Sequence, residues 1–69
     1  MKVTQRYEKR YQEAKDGMAS EVIRQYSAEI EAEKKRQMAS RNSFVRTCCQ
    51  QTMDQLSDER KAIEKVFIG

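Results

Sequence analysis

Three groups of residues could do chemistry: the adjacent thiols Cys48-Cys49, the tyrosines Tyr7 and Tyr11 set among Arg6, Lys9 and Arg10, and the acid-free cations Lys34, Lys35, Arg36, Arg41 and Arg46. Neighbours on a helix point about 100° apart, so the two thiols do not converge on one metal ion. The chain has no His to complete such a site. The pair reads as small hydrophobes on a helical stripe, or as thiols facing a symmetry mate, where oxidation would join two chains. Tyr7 and Tyr11 lie one helical turn apart, where aromatics flanked by cations can stack on bases while the cations hold phosphates. The plainer reading is apolar packing with wet hydroxyls and a solvated cationic rim. The cations of residues 34–46 suit phosphates or an acidic protein patch, or they complement a helix C-terminus.

Catalysis is not expected. The absence of His removes the commonest general base and the Ser-His and Cys-His nucleophile pairs. Gly17 and Gly69 are the only glycines, too few for a phosphate-cradling loop. The carboxylates fall on highly charged stretches, where a raised pKa is hard to achieve. A chain of 69 residues can barely enclose a dry pocket. No catalytic residue, cofactor, metal site or small-molecule substrate is therefore assigned. The longest run of large apolar residues, Val66-Phe67-Ile68, is far short of a membrane span, and no apolar run follows Met1–Arg6 to form a secretory signal. With only two cysteines, adjacent to each other, the expected setting is the cytoplasm, or a host's cytoplasm for a viral product.

The elements that must position these groups are helices. The chain has no Pro, two Gly and 36% charged residues, a composition that favours helix over sheet. On a helical wheel Val3, Tyr7, Tyr11, Ala14 and Met18 fall within roughly 80°. Ala19, Val22, Ile23, Tyr26 and Ile30 form a second sector turned by about 90° from the first. The phase change falls at Asp16-Gly17, where Gly tolerates a break, and Ser20 is positioned to cap a new helix. Val45, Cys48, Cys49, Thr52, Leu56, Ile63, Val66 and Phe67 share a third sector of roughly 100° that keeps its phase across Ser57. Ser40-Arg41-Asn42-Ser43 is the strongest turn signal, with Asn42 tolerant of the left-handed conformation and Ser43 able to cap the next helix.

The fold class is thus all-α: a single domain over 1–69 with helical segments at 3–16, 19–39 and 43–67. Two long helices form a hairpin, with an N-terminal helix broken off at Gly17. The alternatives are one continuous rod and a disordered chain that folds on binding. A hairpin this small gains little from burial against the entropy of ordering it. Its apolar surplus is therefore expected to be covered by another copy, most simply as a homodimer of hairpins forming a four-helix bundle. A leucine-zipper coiled coil is not expected, since Leu56 is the only leucine.

Charge is segregated along the chain. Residues 1–15 carry net +3, including Lys2 and Lys15; residues 16–33 carry −4; residues 34–46 carry +5; the remainder carries −1. Such blocks suit antiparallel self-association or a charged partner. The expected function is a small protein-binding factor, an adaptor, assembly factor or inhibitor of a larger complex, of a kind common among phage and viral products. It would dock by a helix face through Tyr7, Tyr11, Val22, Tyr26, Ile30, Phe44, Val45, Cys48, Leu56, Ile63 and Phe67. The alternative is a dimeric nucleic-acid-binding protein using Arg6, Lys9, Arg10, Lys34, Lys35, Arg36, Arg41 and Arg46. In architecture alone the hairpin resembles small dimeric RNA-binding hairpin proteins, and no residue carries over from that likeness.

Overall fold

The computed structural model describes residues 3–68, so the N-terminal cation Lys2 and the terminal Gly69 lie outside the described residues. Helix α1 spans Gln5–Glu13, α2 spans Ala19–Ala39 and α3 spans Ser43–Phe67. Between α1 and α2 the five residues Ala14–Met18 form a wider, kinked turn. No strand occurs among the described residues.

Local chemistry explains each boundary. Thr4 has extended backbone, and its hydroxyl accepts from the Tyr7 N–H at 3.0 Å, which caps α1 two residues later than the expected start. Gly17 takes φ 96°, a left-handed conformation that lets the chain reverse between α1 and α2. Helix α2 starts at Ala19, with no side-chain cap, so Ser20 lies inside it and does not serve as its cap. It ends where Ser40 turns extended (ψ 138°). The expected cap of α3 moves by one residue. The Asn42 side chain, not that of Ser43, accepts from the N–H groups of Phe44 (2.9 Å) and Val45 (3.3 Å). Asn42 itself is extended (φ −85°), so its use here is capping and not left-handed backbone. Ser57 interrupts nothing, and α3 runs through it as one helix.

Helices α2 and α3 form the hairpin, and α1 folds back upon it. Thr4 and Arg6 meet Glu59, while Tyr11 meets Phe67 further along α3, so α1 runs in the same direction as α3. The core consists of Ala14, Val22, Tyr26, Leu56 and Ile63, with Tyr7, Ala19, Ile23, Ile30 and Phe67 packed around it. Full burial of Val22, Leu56 and Ile63 contributes roughly 1.5–3 kcal/mol each. The apolar stripes alone point to a second copy as the cover of the hairpin. In the structure the chain's own α1 covers part of it, because the reversal at Gly17 returns Tyr7 and Ala14 to the hairpin.

Gly17 is the hinge on which this return depends. A Cβ there would meet nothing within 4 Å, so its cost is backbone strain alone. We expect Gly17→Ala to lower stability by about 1 kcal/mol, and Gly17→Asn by less, in urea titrations followed by helical circular dichroism.

Candidate functional site

The most specific side-chain geometry surrounds Glu59, whose side chain is fully buried. It lies on α3 between Leu56 and Ile63, on the edge of the apolar stripe. Each carboxylate oxygen accepts two hydrogen bonds. Oε1 takes Arg6 Nε (3.1 Å) and the Tyr26 hydroxyl (2.8 Å). Oε2 takes Arg6 Nη2 (2.8 Å) and the Thr4 hydroxyl (3.2 Å). Beside this cluster Arg10 makes a forked pair with Glu29, with Nη1 2.6 Å from Oε2, and its guanidinium sits 4.5 Å from the centre of the Tyr26 ring.

The electrostatics follow from these partners. Burial pushes the Glu59 carboxyl up, but hydrogen bonds from Arg6, Tyr26 and Thr4 and the charge of Arg6 outweigh it and hold the group below its ordinary value. The hydrogen bond from Arg10 outweighs desolvation and lowers Glu29 in the same sense. Burial, then the hydrogen bond and charge of Glu59, push the Tyr26 phenol up. The cluster is a set of saturated partners. The Glu59 carboxylate is ionised with all four acceptor positions filled, so no lone pair is left for a substrate.

These contacts redraw the site expected from sequence. Val22, Tyr26, Leu56 and Ile63, expected at a protein interface, are buried inside the chain itself, because α1 closes over that part of the hairpin. Tyr7, Tyr11 and Phe67 are half-buried and turn toward one another, with ring centres 6.0 Å (Tyr7–Tyr11) and 5.2 Å (Tyr11–Phe67) apart. Ile30 is half-buried against the core. Arg6 and Arg10, expected to meet phosphates or an acidic partner, are engaged by Glu59 and Glu29 of this chain. Lys9 remains exposed.

The other end of the hairpin is different. Lys34, Lys35, Arg36, Arg41 and Arg46 are all exposed around the turn. Arg36 reaches only Glu33, at 4.0 Å. Phe44 is 74% exposed and Met38 75%. A groove of about 180 Å³ lies between Glu33 and Arg36 of α2 and the Phe44–Thr52 stretch of α3, where Val45, Cys48 and Cys49 line it. Cys49 is buried at its floor, and Cys48 is exposed. Burial, followed by the neighbouring Glu33, pushes the Cys49 thiol up. Among the described residues no three of Cys, Asp or Glu gather in a way that could hold a metal ion, and no helix is long and apolar enough to cross a membrane.

Sequence reasoning missed Thr4, Glu29 and Glu59. The available signal was Glu59 itself, an acid three residues after Leu56 and four before Ile63, where a solvated charge does not belong. No protein family, no curated protein and no solved structure matches this chain.

The Glu59 cluster carries two expected outcomes. Arg6→Met deprives a buried carboxylate of the guanidinium that pairs with it. We expect a loss of about 2 kcal/mol, below the ~3–5 kcal/mol of a fully buried pair because the Arg6 side chain is 32% exposed. For pH the sign is set by depressed carboxyl pKa values. Folding binds fewer protons than unfolding, so the contribution of Glu59 and Glu29 is complete above their ordinary value of 4.5 and is lost as pH falls below it. Urea midpoints should fall as pH drops below about 4.5, and Glu59→Gln should flatten that slope; equal slopes in the two proteins would show that Glu59 is not responsible.

Proposed function

We propose that this chain is a small non-enzymatic helical factor that binds a larger protein through one helical face, as an adaptor, assembly factor or inhibitor. The observation that carries this reading is the turn end of the hairpin. There an aromatic side chain stands 74% exposed beside a groove between two helices, with no acid among residues 34–46. Exposed apolar residues next to a groove and rimmed by one sign of charge favour a protein partner, with the aromatic giving area and the cations orienting the encounter. Self-association belongs to the same reading. Val66 and Ile68, at the end of α3, are 57% and 61% exposed, and a second copy would cover them in a larger helical bundle.

Binding to nucleic acid is the second reading, favoured by the five exposed cations of the turn. What weighs against it is the engagement of Arg6 and Arg10 within the chain, which removes two of the N-terminal cations that such binding would use. Affinity purification from lysate with mass spectrometry, with and without nuclease, separates the two. A protein partner retained after nuclease supports the first reading, loss of every partner on nuclease supports the second, and recovery of the chain alone removes both. Sedimentation at micromolar concentration decides self-association separately, and a monomer throughout removes it.

A further inference from the structure

Helix α1 is held to the hairpin by charge as much as by burial. None of its nine residues is buried. Its hold is the two guanidinium groups, Arg6 on Glu59 and Arg10 on Glu29, with Tyr7 and Tyr11 half-buried beside them. Its link to α2 bends at very few bonds. Glu13, Ala14 and Ala19 all have right-handed helical backbone. Inside the turn Gly17 departs from it (φ 96°, ψ 9°), followed by Met18 (φ −105°, ψ 28°). Lys15, Asp16, Gly17 and Met18 are all exposed, and a Cβ on Gly17 would meet nothing within 4 Å, so no packing pins the bend. Returning these two residues to helical angles makes residues 5–39 one helix of about 52 Å, longer than the 41 Å of the closed chain.

On that straight helix the α1 stripe lies about 90° from the stripe that α2 turns to α3, so α1 leaves its own hairpin and presents Arg6 and Arg10 elsewhere. The seat that fits those two cations is the hairpin face carrying Glu59 and Glu29, and a second copy carries the same face. We infer that α1 is an exchangeable strap: the chain dimerises by opening at Gly17 and laying α1 of each copy on the hairpin of the other. This rests on the self-association in the reading above and names its mode. The directions agree. Helix α1 runs with α3 and therefore against α2. An α1 that continues α2 of one copy thus sets the two α2 helices antiparallel, as a two-fold axis requires. Every ion pair and hydrogen bond of the seat is remade between copies, so the closed and exchanged forms differ in the hinge and in the entropy of association. A foreign helix would have to reproduce two cations one turn apart and the Thr4 hydroxyl, and a second copy does so by identity.

The test reverses charges between copies of the full chain. Arg10→Glu and Glu29→Arg each set like charges against one another within a chain, at positions outside the apolar core. Mixed, the two variants regain both pairs only if α1 crosses between copies. Sedimentation velocity and native mass spectrometry should find little dimer in either variant alone and a one-to-one dimer in the mixture at micromolar concentration, with melting restored toward wild type. Both changes in one chain should restore melting without a second variant. Gly17→Ala should raise the dimerisation constant by more than about tenfold, because alanine disfavours the left-handed hinge of the closed chain and favours the straight helix. A dimer that shows no preference for the mixed pair and no gain from Gly17→Ala would overturn the exchange and leave self-association through outer residues such as Val66 and Ile68 intact. Monomers in wild type, Gly17→Ala and the mixture alike would overturn both. A Gly17→Ala chain that stays monomeric while gaining a lysate partner would give the seat to another protein and overturn the exchange.

Discussion

A carboxylate without access to water must find its donors inside the protein, and Glu59 finds four of them on two other elements. Two guanidinium nitrogens and a hydroxyl come from Arg6 and Thr4 at the start of α1, and one hydroxyl comes from Tyr26 on α2. Once α1 covers this charge, it would have only the Tyr26 hydroxyl if Arg6 and Thr4 did not donate to it, a cost of several kcal/mol that such a small core offsets poorly. The position of α1 is therefore set by electrostatics as much as by apolar burial. Its apolar contribution is modest: Tyr7 packs against the core, and the buried Ala14 lies just beyond the helix. Arg10 adds a second point of attachment by pairing with Glu29 and covering the Tyr26 ring, and two points fix the direction of a short helix where one would fix only its place.

The same constraint explains why the apolar face is covered unevenly. A nine-residue helix anchored at Arg6 and Arg10 can shield only the part of the hairpin opposite Glu29 and Glu59. Further toward the turn the hairpin is two helices thick, and Cys49 is buried there between α2 and α3 without help from α1. Apolar burial in that half is thin, and Phe44 and Met38 remain in solvent. The structure is thus stable at one end by a three-helix core and open at the other, an arrangement that concentrates unsatisfied apolar surface where the cations also gather.

Much of this was legible in the residues. The change of helical phase at Asp16-Gly17 marked a break, because two apolar stripes about 90° apart cannot face one partner on a straight helix, but a kink, a stutter and a true turn all fitted it. Ser40-Arg41-Asn42-Ser43 marked the turn by the side chains that compete for backbone N–H groups. The unbroken stripe from Val45 to Phe67 outweighed the cap-like Ser57-Asp58-Glu59 sequence, since continuous packing decides where local capping only biases. What could not be read was the destination of the charges. Arg6 and Arg10 look like a solvated rim because one-dimensional patterns pair residues three or four apart, and their partners lie 53 and 19 positions away. For the same reason Val22, Tyr26, Leu56 and Ile63 read as an interface, since a wheel shows that a face is apolar but not which helix meets it.

The two basic blocks of the sequence consequently do different work. Of the N-terminal block, Arg6 and Arg10 are neutralised by acids of α2 and α3, so their contribution to the outer field is largely cancelled within the fold. The block at 34–46 has no such acids opposite it beyond Glu33, and its charge reaches solvent undiminished. Net charge of +3 is therefore a poor description of the surface a partner meets. It is the distribution of charge along the chain, +5 over residues 34–46 against −2 over the rest, that gives the molecule an electrostatic polarity along its 41 Å length.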